Sequence, residues 1–150
     1  MLKEIQVNKS TNTVYAMDEQ YHIIGQYDMS KGFWPGENSA GEPYCNAEDG
    51  AYHIQRGNVY ADGPYSGDGH RDLSGDVMPF GWGYIGLDDR GHALHGGGSN
   101  LGWPDSDTPV QEFTKTHGCF RMHNTDIYDL ALAAIEALDN GIDVVVTVIS

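Results

Sequence analysis

The first thirty residues alternate between apolar and polar positions with a period of two. Leu2 to Val7 has the pattern of a half-buried strand. The polar cluster Asn8-Lys9-Ser10-Thr11-Asn12 predicts a turn, and Thr13 to Met17 reads as the hairpin partner. Asp18-Glu19-Gln20 turns the chain again into a third strand over Tyr21 to Tyr27, which completes a meander. From Ser30 to Glu48 the glycines and prolines predict a loop, and Gly50 to Gln55 a further strand. Val59 to Phe80 is polar and glycine-rich and reads as one long surface loop, placed as a flap. Its Asp68-Gly69-His70-Arg71-Asp72 run lacks the full ligand set and closing Glu of a calcium loop. Trp82 to Leu87 predicts a strand, Asp88 to Gly91 a tight turn, and His92 to His95 the partner strand.

The period changes near the end. Ile127, Leu130, Ala131, Ala134, Ile135 and Leu138 form one apolar stripe, which predicts a helix from about Thr125 to Asn140. Asn124 or Thr125 is the candidate N-cap, Asp126 suits the first turn, and Gly141 stops the helix. Ile142 to Ile149 is nearly continuous Val and Ile and reads as a central, buried strand. The pattern describes a single mostly-β domain over residues 1–150 with one main helix near the C-terminus.

Composition narrows the partners. A chain of 150 residues suits one core, and 20 glycines with 9 tyrosines suit a turn-rich β domain. Lys and Arg number 8 against 22 Asp and Glu, a net charge of −14. No basic stripe is available for nucleic acid, and an anionic membrane surface would repel the chain. The same acidity suits a well-solvated surface. No apolar run reaches membrane-spanning length, so no insertion is expected. Met1 to Ile5 begins as a strand with no apolar signal region behind it. Two cysteines, Cys45 and Cys119, make no disulfide framework.

The chemistry concentrates in Thr116-His117-Gly118-Cys119-Phe120-Arg121-Met122-His123-Asn124, with a second imidazole-rich segment at Gly91-His92-Ala93-Leu94-His95-Gly96. A Cys that meets a His in space is the minimum of a thiol nucleophile. Cys119 is the candidate. His117 shares its side in an extended segment, and His95 can approach from a neighbouring strand; spacing alone does not rank them. The backbone N–H groups of Gly118 and Cys119 are candidate oxyanion donors, and Arg121 can fork onto a carboxylate or carbonyl. The plainer alternatives are an inert buried thiol at Cys119 and a structural salt bridge or cap at Arg121. Zinc is the rival chemistry for His92, His95, His117, Cys119 and His123. No C-x-x-C or H-E-x-x-H spacing supports it, and neither metal nor cofactor is expected. Trp34, Trp82 and Trp103 could line a groove but more commonly such rings pack in cores.

These residues carry a resemblance. His95 and, after a spacer, Thr116-His117-Gly118-Cys119-Phe120-Arg121 resemble the signature of the L,D-transpeptidase catalytic domain, the YkuD-like family. Met122-His123-Asn124-Thr125-Asp126 is similar to its common continuation. The resemblance implies a β-sandwich and a catalytic set of Cys119, His95, His117 and Gly96. His95 would be the general base, with the Gly96 carbonyl orienting its ring. Gly118, Arg121, Thr116 and Asn124 would form the oxyanion and substrate-binding set. It also implies peptidoglycan stem peptides as partners. Cys119 would attack the carbonyl at the L-centre of a diamino acid, release D-alanine, and pass the acyl group to a stem amine, a D-amino acid or water. Such an enzyme acts in the periplasm or cell wall, so the expectation is export by processing, or delivery by a secretion system or phage. Two departures stand out. Asn46-Ala47-Glu48-Asp49-Gly50 replaces the family's Thr-Pro-x-Gly, and twenty residues separate His95 from Thr116, which suggests a different cleft rim. Two alternatives remain: a delivered toxin with the same chemistry, countered by an immunity protein, and a non-catalytic wall-binding module.

Overall fold

The structure, a computed structural model, describes residues 1–61, 81–97, 116 and 118–150. Most of the expected flap, Trp103 and His117 lie outside the described residues.

The meander forms as its alternation predicts: β1 (Leu2–Asn8), β2 (Thr13–Asp18) and β3 (Ile23–Ser30) pair antiparallel in sequence order. Ile5, Val7, Val14 and Ala16 point into the core. The third strand starts later than its sequence suggests, because Tyr21 takes a left-handed φ of 60° in the turn held by the Asp18 carboxylate. After β4 (Gly50–His53), a short 3₁₀ turn at Arg56–Asn58 leads into β5 (Val59–Ala61). The structure therefore corrects the reading of Val59 onward as loop: the first three residues pair with β6 (Gly83–Gly86). The strands β7 (Ala93–His95) and β8 (Phe120–Met122) follow, then the helix α1 (Asn124–Asp139) and β9 (Val145–Ile149).

The described strands make one nine-stranded sheet in the order β4-β9-β1-β2-β3-β8-β7-β6-β5. The expected sandwich is thus built from one curled sheet. Its two parts join where only Met29 and Ser30 at the end of β3 pair with Met122 and Arg121. β9 lies inside the sheet, parallel to β1 and antiparallel to β4, as its Val/Ile run predicts. Only Val146 and Val148 are fully buried within it, so one face rather than both is covered.

The helix begins at Asn124 with His123 as N-cap and no side-chain cap hydrogen bond, which corrects the expected capping role of Asn124 or Thr125. It buries Ile127, Leu130, Ala131, Ala134 and Ala137 and packs on β5, β6, β7 and β1. Its end is a left-handed turn at Gly141, φ 81°, with Ile142 N–H reaching back to the Ala137 carbonyl at 3.0 Å.

Candidate active site

The chemistry gathers where β7 and β8 run parallel. Leu94 pairs with Phe120 and His95 with Arg121, so the strands enter side by side from the two imidazole- and glycine-rich segments. In this register Cys119 and Arg121 lie on the same face as His95, since alternate residues share a face and paired residues point the same way.

Gly118 sets up the turn before Cys119. Its φ of +127° is one that L side chains rarely adopt, and an added Cβ would lie 2.0 Å from the Cys45 carbonyl oxygen. The Gly118 peptide is pinned on both sides. Its N–H donates to Thr116 Oγ1 at 3.0 Å, and its carbonyl accepts from Asn46 Nδ2 at 2.9 Å. Thr116 Oγ1 in turn donates to the Cys119 carbonyl at 3.1 Å. Thr116 thus shapes the turn before Cys119, and the Gly118 amide points into that turn.

The Cys119 thiol donates to the Gly91 carbonyl oxygen at 3.3 Å. Cys119 is 8% exposed, and burial pushes its pKa up to about 11. The Ala93 N–H beside the sulfur pulls down, and the Asp88 carboxylate pushes up further. At rest this is a protonated thiol. Both cysteines are free.

His95 is buried, with Nδ1 2.6 Å from the Gly96 carbonyl oxygen. A carbonyl only accepts, so Nδ1 carries the proton and Nε2 the lone pair. Burial first, and the Arg121 charge in addition, lower its pKa to about 4, against the pull of the Gly96 carbonyl. Arg121 is itself buried, which lowers it to about 10 and leaves it charged at neutral pH.

Asn124 is placed beneath this loop. Its Oδ1 accepts from Gly97 N–H at 3.0 Å and Trp82 N–H at 3.3 Å, while Nδ2 donates to the Gly97 carbonyl at 3.0 Å. A Cβ on Gly96 would lie 2.0 Å from that Oδ1, so only glycine fits between His95 and the amide. Asn124 ties the His95 loop to the helix start.

Two groups went unassigned by the sequence reading. Asp88 and His92 form a tight pair: Asp88 Oδ2 lies 2.7 Å from His92 Nδ1, and Oδ1 accepts from the His92 and Arg90 backbone N–H groups at 3.1 and 3.0 Å. The available signal was an Asp opening a turn four residues before a His. The other is the Cys45-Asn46 segment, whose carbonyl and amide brace Gly118; nothing local in the sequence marks it. Of the zinc candidates, His92 is committed to Asp88 and His123 lies 3.5 Å from Asp126. Among the described residues no three His, Cys, Asp or Glu side chains converge as a metal site. Trp34 is exposed and Trp82 half-buried.

The structure thus puts a buried Cys119 directly before β8 and a buried His95 on the parallel neighbour β7, with the His95 ring steered by the next carbonyl. The chain matches the L,D-transpeptidase catalytic domain (YkuD) family over residues 2–145, and it belongs to that family, whose members act on peptidoglycan stem peptides of the cell wall. Among solved structures it is similar to the catalytic domain of the Enterococcus faecium L,D-transpeptidase, with 13% identity, 97% of this chain and 95% of that one covered, and a TM-score of 0.52. A longer crystal structure from the same organism, a mutant, aligns at 11% identity and TM-score 0.53 over 99% of this chain and 50% of that one. Mycobacterium tuberculosis L,D-transpeptidase 1 aligns at 13% identity and TM-score 0.50, covering 99% and 62%. At these identities the likeness concerns the fold. Among curated proteins, none matches by sequence.

Proposed function

We propose that this domain is a cysteine acyltransferase that cleaves the bond between the L-centre of a stem-peptide diamino acid and the terminal D-alanine. The observation that carries the reading is a buried Cys119 directly before β8 and a buried His95 on the parallel β7, with the His95 tautomer set by the Gly96 carbonyl. His95 Nε2 takes the Cys119 proton as sulfur attacks the carbonyl carbon, and returns it to the leaving D-alanine nitrogen. The high thiol and low imidazole pKa values favour a neutral resting pair, so proton transfer accompanies attack rather than preceding it. Arg121, charged in the same face, supplies positive potential for the developing oxyanion. The Cys119 N–H is the backbone donor for it, since the Gly118 N–H is held by Thr116. Thr116 and Asn124 act by positioning Cys119 and His95. His117 enters as part of the Thr116-His117-Gly118-Cys119 motif that carries the family resemblance.

The test is mass spectrometry of the protein with a disaccharide tetrapeptide, alongside Cys119→Ala. The wild type is expected to form a thioester adduct and release D-alanine, and the variant neither. A free Cys119 thiol with an untouched tetrapeptide would refute the reading and leave a wall-binding role.

A further inference from the structure

The turn between β6 and β7 reaches the Cys119 sulfur. Leu87 N–H donates to the His92 carbonyl at 2.9 Å and closes the turn. Inside it one carboxylate makes three contacts. Asp88 Oδ1 accepts from the backbone N–H groups of Arg90 and His92 at 3.0 and 3.1 Å, and Oδ2 lies 2.7 Å from His92 Nδ1. His92 is buried, so this tie is shielded from water in a way that surface ion pairs are not. Between the clamped residues stands Gly91, left-handed at φ +83°. The peptide that joins Gly91 to His92 is therefore held at both ends. Its N–H donates to the Asp88 carboxylate, and its carbonyl oxygen accepts the Cys119 thiol at 3.3 Å. The single S–H proton of Cys119 is committed to this oxygen rather than to His95.

Resting on the reading of Cys119 as the nucleophile, we infer that Asp88 and His92 are positioning residues that park the thiol on the Gly91 carbonyl, an autoinhibitory contact that breaks each time sulfur attacks. The Gly91–His92 peptide is the link. A negative charge on its N–H polarises the group and makes its oxygen the better acceptor. A hydrogen bond donated by the neutral S–H favours the thiol over the thiolate. The Asp88 carboxylate acts in the same direction through its charge. His92 has the second part: it pins the other carboxylate oxygen, so that Oδ1 stays on the turn. A proton shared with Gly91 is not available to His95, so the thiol turns from one acceptor to the other before the C–S bond forms. Gly91 is exposed, and no atom lies within 4 Å of where its Cβ would stand, so nothing packs behind the turn to stop it from yielding as substrate enters. Small oxidants and alkylating agents bring no binding energy to break the contact, whereas a bound peptide does. The clamp thereby reserves the sulfur for substrate.

The experiment uses the full chain carrying Cys45→Ser, which leaves Cys119 as the one thiol and keeps the backbone carbonyl of residue 45 on Gly118. Two quantities are read: the infrared S–H stretching band, and the rate of capture by iodoacetamide, followed by mass. His92→Phe keeps a ring but cuts the tie to Asp88. Asp88→Ala removes the clamp, and Asp88→Asn keeps an oxygen acceptor for the turn while dropping the charge. Each variant is compared at native near-UV circular dichroism. In His92→Phe and Asp88→Ala the band should move up toward that of a free thiol, and capture should quicken at least about fivefold, as expected for the loss of one ordinary hydrogen bond. Asp88→Asn should keep most of the parked band. An unmoved band in His92→Phe and Asp88→Ala overturns the inference, and faster capture with an unmoved band does so too, since the turn would then merely open. Equal gains in Asp88→Asn and Asp88→Ala with no change in His92→Phe would assign the effect to charge alone and also overturn it. D-alanine release plays no part in these readouts: a wild type that releases none refutes the acyltransferase reading, while the thiol measurements decide the parking contact separately.

Discussion

Replacing Asn124 by Ala removes the clamp between the helix start and the His95 loop. Three backbone contacts, two of them buried, go with it: two N–H groups, of Gly97 and Trp82, lose their acceptor, and the Gly97 carbonyl loses its donor. Each polar group left unsatisfied away from water costs about 1–3 kcal/mol. The longest contact, at 3.3 Å to Trp82, is the weakest of the three. Water entering the vacated space would recover part of the cost. A net destabilisation of about 3 kcal/mol follows, which for a domain of this size is roughly 6–12 °C in Tm. Asn124→Asp should behave differently. It keeps Oδ1 for the two N–H donors but aims a carboxylate oxygen at the Gly97 carbonyl, so repulsion replaces one hydrogen bond. Urea unfolding followed by circular dichroism measures both variants, and D-alanine release measures the consequence for His95. Activity per folded molecule should fall in Asn124→Ala, because Gly96, whose carbonyl orients His95, is packed on that amide. A loss under about 1 kcal/mol with full activity would refute the clamp.

Gly118→Ala should be more severe for the site than for the fold. The backbone strain is about 1–3 kcal/mol, and the Cys45 carbonyl, 2.0 Å from the new Cβ, must retreat. Thermal unfolding and D-alanine release should both fall, and a wild-type Tm would show that the turn relaxes freely. The His95 shift has a pH consequence. Its folded pKa of about 4 lies below the unfolded value of 6.5, so the unfolded chain takes up a proton that the folded one refuses. Its contribution is complete above pH 6.5 and is lost as pH falls toward 4. Between pH 7 and 5, wild type should lose about 2 kcal/mol more than His95→Asn in urea titrations. Equal losses would show that His95 is less enclosed than its placement indicates.

Legibility followed the strength of local pattern. The helix could be read because Ile127, Leu130, Ala131 and Ala134 recur at helical spacing and are the residues buried. The meander could be read because Ile5, Val7 and Val14 alternate with polar neighbours. The strand β8 could not, because Phe120, Arg121 and Met122 are all buried and show no alternation, and an arginine in the middle argues against a core strand. The strand β5 was hidden for another reason: three residues carry too little period to stand out from the polar run after them. Cys119, His95 and Gly96 were visible as a motif. Asn124 was visible as a residue, but its work depends on Gly97 and Trp82 across the fold, and no local signal reports that. The same holds for the Cys45 carbonyl against Gly118.

The parallel pairing of β1 with β9 joins Glu4 to Val145 and Asn8 to Ile149, partners about as far apart in sequence as this chain allows. Closing so long a loop costs entropy before any contact rewards it, and folds dominated by such pairings form slowly. The sheet therefore cannot close until its C-terminal strand is present. Until β9 arrives, β1 keeps an open hydrogen-bonding edge and β4 has no partner, while the helix lacks the strand that follows it. The last ten residues thus act as a latch on the whole sheet. Up to that moment only local units such as the β1–β2–β3 meander have their partners, and the closed sheet forms last.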